Sequence, residues 1–170
     1  LKESHEIFTD IYLIQDAKCQ QKPSLLGLIF LEILIESAED KILLNFSKKL
    51  KKRLNEFLQG QKSECLKKLP QNADKKDIFD CFKHYGSAVL EATIINDRFD
   101  LLKMVKRYYL CKKYPFIKGK DIIDAGIKKG PIIGEILNLF IKAQFEGKIK
   151  DREDALRCLY KFLEKNRLRF

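Results

Sequence analysis

The chain has 170 residues, 45% apolar, 34% charged and 11% aromatic, with no Trp, the composition of one ordinary globular domain or two small ones and not that of a disordered tail. Its 34 Lys and Arg against 24 Asp and Glu give a formal charge of +10, which favours polyanionic partners but is too mixed in sign for a simple basic arm. Only 8 Gly and 4 Pro speak against a turn-rich β-sandwich.

Apolar residues recur at helical spacing almost throughout. Leu26, Phe30, Ile33 and Leu34 form a first stripe. The longest apolar stretch, Leu25 to Ile35, is broken by Gly27 and Glu32, short of the ~18 residues that a membrane span needs, so no membrane partner is expected. Leu50, Leu54, Phe57 and Leu58 form a second stripe, started by Ser47 as N-cap. Pro70 ends the preceding helix, and Asp74 caps another bearing Ile78, Phe79, Phe82 and Tyr85. Gly86 marks a break before Val89, Leu90 and Ile94. A fifth helix follows Asn96-Asp97, with Leu101, Leu102, Val105 and Tyr109 on one side and Lys103, Lys106, Arg107, Lys112 and Lys113 on the other. It stops before Tyr114-Pro115, because a residue preceding Pro avoids the α region. The last section reads as a short helix from Gly119 to Ala125, a turn, a longer helix from Pro131 to Glu146 with Gly147 as its C-cap residue, and a final helix capped by Asp151. That final helix is expected to bury Leu156, Leu159, Tyr160 and Leu163.

No stretch alternates at period two, so the expected fold is all-α: an irregular multi-helix assembly of about seven to nine helices with a small C-terminal helical tail. No internal repeat is present. Pro and Gly between Tyr114 and Gly119 place the seam, giving a helical body-like region over 1–114 and a helical tail-like region over 115–170. Residue 1 is Leu, so a processed chain or a piece of a longer protein is expected, and Leu1 to Asp10 lacks the basic-then-apolar pattern of a secretory signal. The five cysteines (Cys19, Cys65, Cys81, Cys111, Cys158) are far apart and form no Cys-x-x-Cys pair, which reads as reduced, mostly buried thiols in a cytoplasmic protein. With only His5 and His84, and no His at metal-ligand spacing from a Cys, no zinc site is expected.

Charge is distributed unevenly. Residues 1–40 carry 3 basic and 8 acidic residues, 41–97 carry 12 and 7, 98–120 carry 8 and 1, and 121–170 carry 11 and 8. Lys48, Lys49, Lys51, Lys52 and Arg53 read as a solvated helix face. The run from Arg98 to Lys120 interleaves its cations with Phe99, Tyr108, Tyr109, Tyr114 and Phe116, a combination that holds phosphates and stacks on bases, although some of these rings must belong to the core.

Catalytic motifs are missing. A nucleotidyl or phosphoryl transferase needs carboxylates fixed for Mg²⁺, often with a Gly-rich phosphate loop, and the chain has no Gly-x-Gly pair, no Walker sequence and no Asp-x-Asp. Asp151, Glu153 and Asp154 sit at a helix start, where they complement the dipole. His84, beside Phe82 and Tyr85, reads as a packed or exposed side chain. No catalytic or metal-binding residue is therefore assigned. The informative segment runs from Asp121 to Leu137. Gly126 allows a left-handed exit from the short helix, Gly130 turns the backbone again, and Pro131 pre-sets the next helix. The free amides of that second helix, with Lys128 and Lys129 in the turn, suit an anionic oxygen, and Gly134 permits close approach by a helix or a sugar-phosphate backbone. The competing reading is plain helix punctuation, with Ile127 and Ile133 plugging the core.

The segment Pro115-Phe-Ile-Lys-Gly119-Lys-Asp121-Ile-Ile-Asp-Ala-Gly126-Ile-Lys-Lys-Gly130-Pro131-Ile-Ile-Gly134-Glu-Ile-Leu137, followed by Glu146-Gly147-Lys-Ile149 and Asp151-Arg-Glu-Asp-Ala155-Leu156, resembles the C-terminal tail of bacterial CCA-adding tRNA nucleotidyltransferases and their poly(A) polymerase relatives. Weaker likeness to the family's helical body lies in Leu44-Asn-Phe-Ser-Lys-Lys-Leu-Lys-Lys-Arg-Leu54 and Phe82-Lys-His-Tyr-Gly86. The sequence departs from the family at Lys129, where Pro usually precedes the Gly-Pro pair. The resemblance implies a body and tail that hold tRNA for 3′-end nucleotide addition. The catalytic head, with its Mg²⁺ and CTP or ATP, would lie upstream or on a separate chain; no cofactor is implied for this one. The expected RNA-binding residues are Lys106, Arg107, Lys112, Lys113, Gly126, Lys128, Lys129, Gly130 and Gly134. The rival expectation is a helical protein-interaction module without enzymatic activity, whose acidic first 40 residues and stripe from Leu26 to Leu34 dock a partner helix.

Overall fold

The computed structural model describes residues 47–166 together with Gly27, Ile29, Glu32 and Ile33. Leu26, Phe30 and Leu34 of the first stripe, and Cys19, lie outside the described residues. Among those described there is no strand. The elements are α1 (Lys48–Ser63), α2 (Cys65–Lys68), α3 (Lys75–Tyr85), α4 (Val89–Ile95), α5 (Leu102–Lys113), α6 (Gly119–Asp124), α7 (Pro131–Glu146) and α8 (Arg152–Asn166), with 3-10 turns at Gly86–Ala88 and Phe99–Leu101. The chain is all-α with an irregular helix arrangement. The described residues divide into two compact units, one up to Lys106 and one from Arg107 onward, so the division falls within α5.

In the first unit, Ser47 Oγ accepts the amide of Leu50 at 3.3 Å and starts α1, as the sequence predicts. The α1 stripe buries Leu54 and Phe57 fully and leaves Leu50 and Leu58 half-buried. α1 packs on α3, on the Gly86 turn and on α4. Asp74 Oδ1 accepts the amide of Asp77 at 2.8 Å and caps α3, which contributes Ile78, Phe79, Phe82 and Tyr85 to the core. Gly86 ends α3 at φ 54°, a conformation that favours glycine. Glu56 Oε2 then accepts from the Ser87 amide (2.8 Å) and hydroxyl (2.6 Å), tying the turn to α1. Arg98 Nη1 donates to the carbonyls of Leu66 (2.7 Å) and Leu69 (2.8 Å), satisfying acceptors that the end of α2 leaves over.

Cys65 and Cys81 form a disulfide that joins α2 to α3, with Cα atoms 5.5 Å apart. This corrects the expectation of reduced thiols at those two positions. Their separation of 16 residues carries no pairing motif; the contact is created by the turn at Pro70 folding α2 back on α3. Cys111 is buried and free, and Cys158 is half-buried and free.

In the second unit α6, α7 and α8 enclose a core that includes Ile122, Ile136, Phe140, Ala155 and Leu159. α7 begins with Pro131 at its first turn and ends at Gly147, φ 85°. Asp151 Oδ1 accepts the Asp154 amide at 2.8 Å and caps α8. Tyr160 departs from expectation, at 55% exposure. The buried stripe of α8 runs through Ala155, Leu159 and Leu163, and a residue one position beyond Leu159 is turned about 100° away from that line. No helix among the described residues is long and apolar enough to cross a membrane.

Candidate functional site

The turn between α6 and α7 carries four of the nine residues singled out from sequence, Gly126, Lys128, Lys129 and Gly130, and Gly134 lies in the first turn of α7. Asp121 anchors it: its Oδ2 accepts the Lys118 amide at 2.6 Å, and its Oδ1 accepts from Arg152 Nη2 at 2.6 Å. The Arg152 guanidinium holds the Asp121 carboxyl below its ordinary value of 3.8, helped by the Lys118 amide. Gly119 lies against Ile133 of α7, and Ile127 and Ile133 are partly buried against the core. The hairpin is thus fixed by apolar packing and one carboxylate, as helix punctuation requires. Its outer side is different. Gly126 takes φ 101°, and Gly130 is the N-cap residue of α7, so no side chain caps that helix start. Lys128 and Lys129 are exposed, and neither makes an ion pair or hydrogen bond among the described residues. A Cβ at Gly134 would meet no atom within 4 Å, so its backbone is open to an outside group. Two cations, an uncapped helix start with its positive dipole end, and bare backbone are combined on one turn.

The other predicted residues are placed elsewhere. Arg107 donates from Nε to the Phe145 carbonyl at 2.6 Å and from Nη2 to the Gln144 carbonyl at 3.1 Å. It therefore sits at the C-terminal end of α7, about 20 Å along the helix from Gly130. Its charge complements that end of the dipole and satisfies the last carbonyls. Lys112 and Lys113 are exposed; their ammonium groups lie 5.2 Å and 5.4 Å from the ring centres of Tyr108 and Tyr114. Lys106 is half-buried on the part of α5 that belongs to the first unit. Of the interleaved rings, Tyr108 and Tyr109 are buried, Phe116 is half-buried, and Phe99 and Tyr114 are exposed. The run is therefore split between core, helix capping and surface, with some of its rings in the core as the sequence predicts.

Two features were not legible in advance. Lys48, Lys51, Lys52, Asn55, Glu56 and Gln59 of α1, with His84 of α3, line an open cleft of about 540 Å³ in the first unit. The three-and-four spacing of 48, 52, 55 and 59 signals a shared helix face, but the wall supplied by His84 needs the tertiary fold. The second feature is a buried charge cluster. Glu91 is fully buried and ion-paired to Arg53. Glu32 is also fully buried, and both of its carboxylate oxygens are without a hydrogen-bond partner among the described residues. Burial, reinforced by the Glu91 charge and only partly offset by Arg53, pushes the Glu32 carboxyl up to about 9.

Among the described residues, no three His, Cys, Asp or Glu side chains are grouped to hold a metal ion. Asp151 and Asp154 are engaged in starting α8: Asp151 caps it, and Asp154 Oδ2 accepts the Lys150 amide at 3.2 Å. The acidic residues at the start of α8 thus serve the helix and not a shared ligand set. No family model, curated protein or solved structure matches the chain.

Proposed function

We propose that this chain is the tRNA-holding C-terminal body and tail of a CCA-adding tRNA nucleotidyltransferase, cytoplasmic and inactive without a catalytic head that binds Mg²⁺ and CTP or ATP. The observation that carries the reading is the α6–α7 turn, where Lys128 and Lys129 flank a helix start without a side-chain cap and the open backbone of Gly130 and Gly134. Such a turn offers phosphate oxygens both point charges and amide donors, and it reads backbone shape in place of base sequence. The sequence likeness from Pro115 to Leu156 supplies the specific RNA and reaction.

The test is titration of the chain with a labelled tRNA over a range of salt. Neutralising several phosphates releases counterions, so log affinity should fall linearly with log salt, and tRNA should be preferred over a single strand of equal length. Affinity insensitive to salt, or no preference for tRNA, would overturn the reading and favour the protein-interaction module. The chain alone, given CTP or ATP, Mg²⁺ and a tRNA lacking its 3′ end, should add no nucleotide; addition would refute the assignment to body and tail.

A further inference from the structure

We infer that Cys65 and Cys81 form a reversible thiol-exchange site, in which Cys65 takes up a low-molecular-weight thiol of the glutathione class and Cys81 resolves the adduct. The inference rests on the cytoplasmic assignment made above, because cytoplasmic pools keep thiols reduced and the disulfides that form there are mostly transient and redox-sensing. The two sulfurs are unequally reachable: Cys65 is half-buried, whereas Cys81 is 4% exposed. An incoming thiol therefore meets Cys65 first. Lys62 and Lys67, both exposed, flank Cys65 in the chain, and the adjacent carboxylate, Glu64, is already paired with Lys68 at 2.9 Å. Cations beside a cysteine favour its thiolate and draw in a thiol that carries carboxylates.

The fold has a place for both oxidation states. α2 is held without the disulfide by Leu66, which is fully buried, and by Arg98, which donates to the carbonyls of Leu66 and Leu69. The Cys81 carbonyl lies 3.4 Å from Cys65 Sγ, so the Cys65 thiol has an acceptor in place once the bond opens. In the reductive direction a thiolate attacks Cys65 Sγ, the bond to Cys81 breaks, and its electron pair passes to Cys81, which takes a proton from water. A second thiolate attacks the outer sulfur of the mixed disulfide, forming the oxidised small thiol and releasing Cys65 as thiolate. Oxidised glutathione runs both steps backwards, the Cys81 thiolate expelling glutathione from Cys65.

The experiment equilibrates the folded full chain with reduced or oxidised glutathione at neutral pH, quenches by acid and alkylation, and reads each cysteine by peptide mass mapping. Excess reduced glutathione should open the Cys65–Cys81 bond with the far-ultraviolet circular dichroism unchanged, and oxidised glutathione should close it again. In Cys81→Ser, oxidised glutathione should leave a mixed disulfide on Cys65 that persists. In Cys65→Ser, modification of Cys81 should be slower by about tenfold or more, because access to that sulfur is blocked. Opening only after denaturation, failure of oxidised glutathione to close the bond, or faster modification of Cys81 than of Cys65 overturns the proposal. The parent's cycle is read without the variants, so a variant that fails to fold leaves the first two outcomes decisive. No RNA enters the assay. Exchange failing beside intact tRNA binding overturns this proposal alone, and exchange beside absent tRNA binding overturns the tRNA reading alone.

Discussion

The ring of Tyr85 lies directly over the Cα of Gly60: a Cβ added at residue 60 would be 2.6 Å from Tyr85 Cγ, a separation that real contacts do not show. This close crossing lets α1 and α3 pack against each other. The ring cannot withdraw, because Tyr85 is fully buried and its hydroxyl donates to Gln61 Oε1 at 3.2 Å. Gln61 is held in turn by Asn96 Nδ2 at 3.0 Å, so the same contact reaches α4.

Gly60→Ala should therefore destabilise the protein even though alanine is the better helix former. Overpacking costs about 1–3 kcal/mol and occasionally more, against roughly 1 kcal/mol gained in propensity. Thermal unfolding should show a fall of several degrees; a melting temperature at or above the parent's would contradict the crossing.

The buried cluster gives a prediction of opposite sign. Glu32 binds a proton in the folded state up to about pH 9 and, once unfolded, only below its ordinary value of 4.5. Unfolding between these values releases a proton, so this group's contribution is complete below pH 4.5 and is lost as pH rises towards 9. Glu32→Met removes a buried carboxyl that has no hydrogen-bond partner among the described residues and should stabilise by about 1–3 kcal/mol at pH 8, while flattening the decline between pH 5 and 9. Arg53→Met should instead cost about 3–5 kcal/mol, because it leaves Glu91 buried beside Glu32 without its counter-charge. Chemical denaturation at pH 5, 7 and 9 separates the two.

The Cys65–Cys81 bond closes a segment with a sequence separation of 16, for which chain-entropy arguments give about 3 kcal/mol. Denatured without reductant, the chain should titrate three thiols, and after reduction five. Cys65→Ser/Cys81→Ser should lower the melting temperature by several degrees. Five thiols in the unreduced protein would show the pair to be open.

Cap residues and helix faces were the parts most readable from sequence. Ser47, Asp74 and Asp151 cap helices through side chains whose range is three residues, and Gly86 and Gly147 end helices through local backbone conformation. Of the first stripe, Ile33 alone lies among the described residues, and it is 46% exposed. What sequence spacing did not reveal was the use of cations. Arg98, Arg107 and Arg152 look like surface charge in a basic chain, yet each donates to carbonyls or carboxylates up to tens of residues away. Their partners are defined only once helices cross. The disulfide and the Arg53–Glu91 pair were hidden for the same reason, both being contacts between separate helices.

The division of labour within the second unit yields the last prediction. Lys128 and Lys129 are exposed in the turn and carry no structural bond among the described residues, whereas Arg107 closes the C-terminal end of α7 by donating to two carbonyls. Lys128→Glu/Lys129→Glu should leave the melting curve nearly unchanged and weaken tRNA binding by tenfold or more. Arg107→Ala should lower stability by about 1–3 kcal/mol, since buried acceptors lose a charged donor, and should weaken binding only as far as the fold is lost. Gly134→Ala discriminates further. With nothing within 4 Å of the new Cβ, alanine in that helix should add up to about 1 kcal/mol of stability. If RNA approaches the bare backbone there, the more stable protein should bind more weakly. Parallel thermal unfolding and tRNA titration of the three variants read both quantities. Unchanged binding by the double lysine reversal, or a binding defect confined to Arg107→Ala at full stability, would move the RNA surface away from the turn.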